Sequence, residues 1–145
     1  MIITQKGQYA VRALFALACS GGDGPLKIAD IAIDQGIPAR FLEVILGQLK
    51  QSGVVDSRRG TDGGYWLAKS PREINVRQII EAIDGPIEII CNPESSPIVP
   101  ASEMFSNFWK GAAATLQQHL DKTSLADLVD SYEKLHKSYV PNYSI

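Results

Sequence analysis

The sequence is poor in the residues that cross-link small proteins or bind metals. Its 145 residues include only two cysteines and two histidines. Cys19 and Cys91 are too far apart in the chain to suggest a disulfide framework. His119 and His136 have no metal-ligand spacing to each other or to a cysteine. The composition therefore argues against a disulfide-rich scaffold and predicts no metal site.

Long apolar runs are also missing. The most apolar segment, residues 10–19, contains Arg12, and a membrane span needs about 18 apolar residues. No signal-peptide pattern follows Met1. Because 45% of the residues are apolar and 21% are charged, as in ordinary globular proteins, we expect a soluble, cytoplasmic protein with no membrane partner.

Recognisable catalytic groups are absent as well. The sequence shows no paired acid and base and no nucleophile arranged with a histidine. The glycines at 60–64 lack the lysine and the following helix of a phosphate-binding loop. We therefore predict no catalytic residue and expect that the chain is not an enzyme.

Charge is unevenly distributed along the chain. The overall net charge is −2, but residues 1–72 carry +3 and residues 73–145 carry −5. A basic first half favours a polyanion such as nucleic acid as partner. The acidic second half would also suit a protein-interaction adaptor, which stays open as an alternative.

Apolar spacing predicts a mainly α-helical fold with a small β-hairpin. The predicted helices span 4–20, 28–35, 39–52, 75–83, 103–120 and 124–136, and the predicted strands span 54–58 and 65–68. We expect Cys19 to be a core residue, and Tyr132 and Leu135 to face inward from the last helix. Residues 92–102, rich in proline and serine, read as a loop.

The order of helix, short helix, glycine turn, helix and hairpin is typical of a winged helix-turn-helix. Ala32 would let two helices cross closely, and Gly36 would take the tight turn between them. The hairpin would form the wing, with Arg58 and Arg59 beside Gly60 at its tip. Such a tip suits insertion into the minor groove of double-stranded DNA, whereas the alternative is a solvated turn.

With these motifs, the sequence resembles the family of bacterial winged-helix regulators that includes IscR, NsrR and CymR. The matching motifs are Thr4-x-Lys6-Gly7-x-Tyr9-Ala10, Ile28-Ala29-Asp30-Ile31-Ala32, Gly36-Ile37-x-x-x-Phe41-Leu42-Glu43, Arg59-Gly60-x-x-Gly63-Gly64-Tyr65-x-Leu67, Ile79-x-x-Ala82-Ile83-Asp84-Gly85-Pro86 and Thr123-Ser124-Leu125-x-Asp127-Leu128. The resemblance covers nearly the whole chain, and the wing motif is its most specific part.

The resemblance implies a homodimer on a palindromic operator, with the third helix in the major groove and the wing in the minor groove. The implied DNA-binding residues are Thr4, Lys6, Tyr9, Ala39, Arg40, Glu43, Arg58, Arg59 and Gly60. Arg40 could read guanine or only contact phosphate. The Glu43 carboxylate could accept a hydrogen bond from cytosine, or it could merely be tolerated near the DNA.

A long helix with a broad apolar stripe follows the loop. Phe105, Trp109, Ala112 and Leu116 fall on one side of it. They could pack internally, but the resemblance implies that they meet the same helix of a second subunit. The predicted units are a DNA-binding domain at 1–86, a sensor-region loop at 87–102 and a dimerisation region at 103–145.

The sensor region departs from the cluster-binding members of this family. Those members carry three cysteines before the long helix, whereas this chain has only Cys91 there. Gln8 stands where some members carry an acidic ligand. We therefore expect no iron–sulfur cluster and no other cofactor. As an alternative, the protein could be a redox-responsive or iron–sulfur-responsive regulator that uses the Cys91 thiol. Cys91 could also be inert.

The chain ends in Tyr143-Ser144-Ile145. The resemblance implies a further partner, because cysteine-metabolism repressors of the family also lack the cluster cysteines, end in isoleucine and bind cysteine synthase. A terminal carboxylate with an isoleucine side chain can occupy an amino-acid pocket, although the tail could equally be a frayed terminus. The predicted function is thus a DNA-binding repressor, with cysteine metabolism as its candidate target.

Overall fold

The computed structural model describes residues 3–88 and 101–139. Cys91 and the tail residues Tyr143, Ser144 and Ile145 lie outside this part. The elements are α1 (Gln5–Cys19), α2 (Ile28–Gln35), α3 (Ala39–Gln51), β1 (Val55–Arg58), β2 (Gly64–Leu67), a short 3-10 turn (Pro71–Glu73), α4 (Val76–Asp84), α5 (Ser102–Lys122) and α6 (Leu125–Tyr139). The predicted helices and hairpin are confirmed, with ends that differ by three residues or fewer.

Helix α1 lies at the centre of the fold and packs against α2, α3, α4 and α6. Its apolar face, which includes Ala10, Ala13 and Leu14, is fully buried. The main core also contains the apolar face of α3, whose residues are Leu42, Ile45, Leu46 and Leu49. Helices α1 and α3 therefore each bury the apolar face that their residue spacing predicts.

The turn between α2 and α3 depends on Gly36. This residue caps α2 with φ at +60°, a left-handed conformation that side chains disfavour. The Arg12 guanidinium donates a hydrogen bond to the Gln35 carbonyl beside the turn. Arg12 thereby fastens the end of α2 to α1 and fixes where α3 begins.

The wing is a two-stranded antiparallel sheet in which Val55 pairs with Leu67 and Arg58 with Gly64. Backbone hydrogen bonds between Leu26 and Tyr65, at 2.9 and 2.8 Å, attach it to the segment before α2. A side chain at Gly63 would collide with the Arg58 carbonyl. The absence of a Cβ at this glycine therefore lets the hairpin close tightly.

A second, smaller apolar cluster joins α4 to the C-terminal half of α5. Its buried residues are Val76, Ile80, Ile87 and Leu120, and Leu116 packs against them. The N-terminal half of α5 leaves Phe105 and Trp109 exposed. Among the described residues, this apolar cluster therefore anchors the C-terminal half of α5 and not its N-terminal half.

Three residues that were predicted to face the core are exposed instead. Tyr132 and Leu135 are exposed, because the packing of α6 against α1 and the 3-10 turn buries its first residue, Leu125, and leaves the outer turns at the surface. Cys19 is also exposed. It follows the buried Leu17 by two residues, about 200° around the helix, so it points away from the core.

Within residues 3–88 and 101–139, no helix is long and apolar enough to cross a membrane.

Candidate nucleic-acid interface

The start of α1 is organised by Thr4. Its side-chain oxygen accepts a hydrogen bond from the Gly7 N–H at 3.0 Å and so caps the helix. Its N–H and hydroxyl donate to the two carboxylate oxygens of Asp84, at 3.0 and 2.5 Å. A phosphate contact through the Thr4 hydroxyl would therefore compete with Asp84. Lys6 is half-buried beside this cap.

Tyr9 connects α1 to the N-terminal end of α3. Its ring lies 6.0 Å from the Phe41 ring, centroid to centroid. The Arg12 guanidinium stands 5.7 Å from the Tyr9 ring centroid, and the Arg40 guanidinium stands 5.0 Å from that of Phe41. The structure thus brings Tyr9 and Arg40 together in a row in which the rings of Tyr9 and Phe41 lie between two guanidinium groups. Each guanidinium is attracted to the face of its neighbouring ring.

Helix α3 presents its predicted readout residues to solvent. Ala39, Arg40 and Glu43 are all exposed, whereas the opposite face of the helix is buried in the core. Sequence reasoning missed Val44, which is 54% exposed. Its position one turn after Arg40, outside the inward set of α3, is the signal that could have found it.

The wing carries the remaining predicted DNA contacts, which are Arg58, Arg59 and Gly60. Arg58 donates to the Asp62 carbonyl at 3.0 Å, which holds its side chain along the turn. Arg59 and Gly60 are exposed at the tip, and Gly60 has φ at +109°. At the base of the wing, Lys50 of α3 donates to Ser57 Oγ at 2.7 Å and so connects α3 to the wing.

The apolar stripe of α5 that is predicted to form the dimer interface differs in burial along its length. Phe105, Trp109 and Ala112 are exposed. Leu116 is half-buried against the second apolar cluster. The two aromatic side chains at the start of the stripe are thus free to meet another surface, whereas Leu116 already packs within its own chain.

The residues present do not fit an iron–sulfur cluster of the thiolate-bound kind. The chain has two thiols, and such clusters need up to four cysteine ligands. Cys19 lies at the C-terminal end of α1, which is about 22 Å long. Glu88 lines a small cleft with Ile3, near the N-terminal end of the same helix. In the described part of the chain, no three His, Cys, Asp or Glu residues are grouped to hold a metal.

Cys19 is also poorly suited to redox chemistry. Partial burial raises the pKa of its thiol, and the negative charges of Asp34 and Glu133 raise it further. Because the thiolate is the reactive form, a raised pKa keeps this sulfur protonated and slow to react near neutral pH.

Comparisons with known proteins agree with this geometry. The model of the Rrf2 family, described as an iron-dependent transcriptional regulator, matches residues 3–131. The transcriptional regulator IscR of Pectobacterium atrosepticum is 33% identical over 137 residues, covering 94% of this chain and 84% of that protein.

Two solved structures share the fold. CymR, described as the global cysteine regulator of B. subtilis, superposes with a TM-score of 0.81 at 29% identity, covering 90% of this chain and 98% of that one. IscR of T. potens gives a TM-score of 0.76 at 31% identity, covering 93% and 90%.

Proposed function

The chain belongs to the Rrf2 family of DNA-binding transcriptional regulators, and we propose that it is a homodimeric repressor that binds a palindromic operator through α3 and the wing. The predicted family and winged-helix fold are confirmed. The prediction that the chain is not an enzyme is confirmed too, because these relatives and structural neighbours are regulators. Chromosomal DNA as the target implies a cytoplasmic location.

The outward placement of cations on two elements supports operator binding most directly. Arg40 on α3 and Arg59 on the wing are exposed, while the opposite side of α3 is packed in the core. One element can then enter a major groove while the other reaches the adjacent minor groove. DNase footprinting of the region upstream of the protein's own gene should show two symmetric half-sites. If this region is protected from DNase no better than random DNA is, the proposal is contradicted.

Homodimerisation is supported by the exposed aromatic residues of α5. Phe105 is 55% exposed and Trp109 is 47% exposed on a helix whose C-terminal half is packed. Apolar surface of this kind is typical of a protein–protein interface. Light scattering coupled to size-exclusion chromatography should give twice the 15.8 kDa mass of the chain. A monomer at micromolar concentration would contradict the proposal.

We also propose that the protein works without an iron–sulfur cluster, because the chain has two cysteines and such clusters need up to four. Protein purified without oxygen should be colourless and should bind its operator equally well after treatment with iron and sulfide. Stoichiometric iron and sulfide, with absorption lost in Cys91→Ala, would contradict this. Operator binding that changes with peroxide in the parent and not in Cys91→Ala would instead identify Cys91 as a redox sensor.

Control of cysteine metabolism through cysteine synthase is the proposed physiological role. It is supported by the likeness to the B. subtilis protein, which is described as a global cysteine regulator. Titration of cysteine synthase should show binding of the full chain and none of a chain that ends at Ser144. Equal binding of the two chains, or binding of neither, would exclude this role for the tail. If the protein binds its operator but does not bind cysteine synthase, a repressor that acts without this partner is favoured over a protein-interaction adaptor.

A further inference from the structure

The outward face of α3 carries an apolar and a small residue on either side of its central arginine. The buried residues Leu42, Ile45 and Leu49 define the inward direction of this helix. Taking 100° per residue, the opposite direction falls within about 10° of Arg40, with Gly47 on one side of it and Val44 on the other. Val44 is 54% exposed there, beside Arg40 on the predicted readout surface. An aliphatic side chain at this point gives the surface a site without hydrogen-bonding groups.

Gly47 is not required by the packing of the protein itself. It lies inside α3, where glycine weakens a helix relative to alanine. A Cβ built at Gly47 meets nothing within 4 Å. By contrast, Gly7 and Gly63 lie where a Cβ would collide with the protein. The missing side chain of Gly47 therefore leaves room outside the protein, on the face that also carries Val44.

We propose that Val44 selects a thymine in each half-site by packing on its 5-methyl group, and that Gly47 gives the groove wall room to approach α3. This inference rests on the proposed operator binding. The thymine methyl is the one apolar group that a base pair presents in the major groove, so an aliphatic side chain matches it and no other base edge. The partner chemistry is therefore a 5-methylpyrimidine.

The helix geometry also sets the spacing of the two readouts. Val44 follows Arg40 by four residues, which is about 6 Å along the axis of α3. Successive bases of one strand rise by about 3.4 Å. If Arg40 contacts guanine, the thymine read by Val44 lies within about two base pairs of that guanine.

A methyl-deletion cycle tests the role of Val44. The probe is a duplex that the parent protein selects from a random library, with each half-site thymine replaced in turn by deoxyuridine, which lacks only the methyl group. At one position the parent should lose about four-fold in affinity per half-site, the factor expected for one buried methyl group. Val44→Ala should bind the thymine and uracil duplexes equally.

Two outcomes would overturn this role. One is that no uracil substitution weakens binding by the parent. The other is that Val44→Ala loses the same factor as the parent at that position, because additive losses mean that the two groups do not touch. If the parent selects no sequence at all, the proposed operator binding fails instead, so the two failures are distinguishable.

The role of Gly47 is tested by comparing stability with binding. Gly47→Ala should raise the midpoint of thermal unfolding, because alanine favours the helix, yet should weaken operator binding by ten-fold or more. Gly111→Ala is the matched control, since Gly111 also lies inside a helix with nothing within 4 Å of an added Cβ. The control should raise stability and leave binding unchanged. Operator binding by Gly47→Ala as tight as that of the parent would overturn the role of Gly47.

Discussion

Asp84, the last residue of α4, holds Thr4 at the start of α1 with both carboxylate oxygens. The Thr4 N–H and hydroxyl donate to them at 3.0 and 2.5 Å. The backbone of Gly7 passes so close that a methyl group there would collide with Asp84 Oδ2. Two motifs that are 80 residues apart in the sequence thus form one contact, which sets the position of the N-terminal end of α1.

We predict that Thr4→Ala lowers the free energy of unfolding by about 1 kcal/mol, the usual loss when a helix N-cap is removed. The hydroxyl acts as acceptor for Gly7 and donor to Asp84, so Thr4→Ser should retain nearly full stability. Urea titration followed by circular dichroism measures both variants. Equal stability of Thr4→Ala and the parent would show that the cap does not stabilise the fold.

For the wing, we predict that Arg59→Ala weakens operator binding by about 1–3 kcal/mol and lowers the salt dependence of binding. Arg59 is exposed at the wing tip, so its loss should leave folding intact. Lys134→Ala removes an exposed cation from α6 and serves as the control for general charge. Fluorescence anisotropy with a labelled operator at several salt concentrations distinguishes the two. A loss of equal size in Lys134→Ala would exclude a specific wing contact.

On α5, we predict that Trp109→Glu converts the dimer to a monomer, because it places a charge in the apolar stripe. Asn107→Glu adds the same charge on the opposite side of the helix and should leave the dimer intact. Sedimentation equilibrium gives the mass of each variant. If both variants remain dimeric, the interface lies away from the exposed aromatic residues of α5.

The start of α6 should make stability depend on pH. Both the Ser124 N–H and its hydroxyl donate to Asp127 Oδ2 at 2.8 Å, and these hydrogen bonds lower the pKa of the Asp127 carboxyl. A lowered pKa in the folded state contributes stability above the ordinary aspartate pKa of about 3.9, and this stability is lost as pH falls through the folded-state value.

Asp127→Asn should therefore unfold at a lower temperature than the parent at pH 7, and the difference should shrink as the pH falls below about 4. Ser124→Ala removes the hydroxyl donor and should reduce the effect of Asp127→Asn when the two are combined. Differential scanning calorimetry across this pH range provides the measurement. A difference that stays constant from pH 7 to pH 3 would rule out the ionised carboxylate as the source of stability.

Much of the candidate interface could be predicted because its features are local in the chain. The spacing of Leu42, Ile45 and Leu49 indicates which side of α3 is buried, and hence that Arg40 and Glu43 are exposed. Gly36 identifies the turn before that helix, since a left-handed residue there favours glycine. Val44 belongs to the same periodic pattern but was missed, because an apolar side chain on an exposed face has no chemical signature by itself.

Periodicity and turn chemistry alone therefore determined the order of the elements, their bounds to within three residues and the inward faces of α1 and α3, because these depend on neighbours within one or two helical turns. Only the tertiary structure decided that Asp84 holds Thr4, that Tyr9 and Arg40 meet across Phe41, and that Leu116 packs internally. It also decided that Cys19, Tyr132 and Leu135 are exposed, since whether an apolar side chain is covered depends on an element distant in sequence. Such long-range contacts follow from how helices cross and leave no periodic trace in the chain.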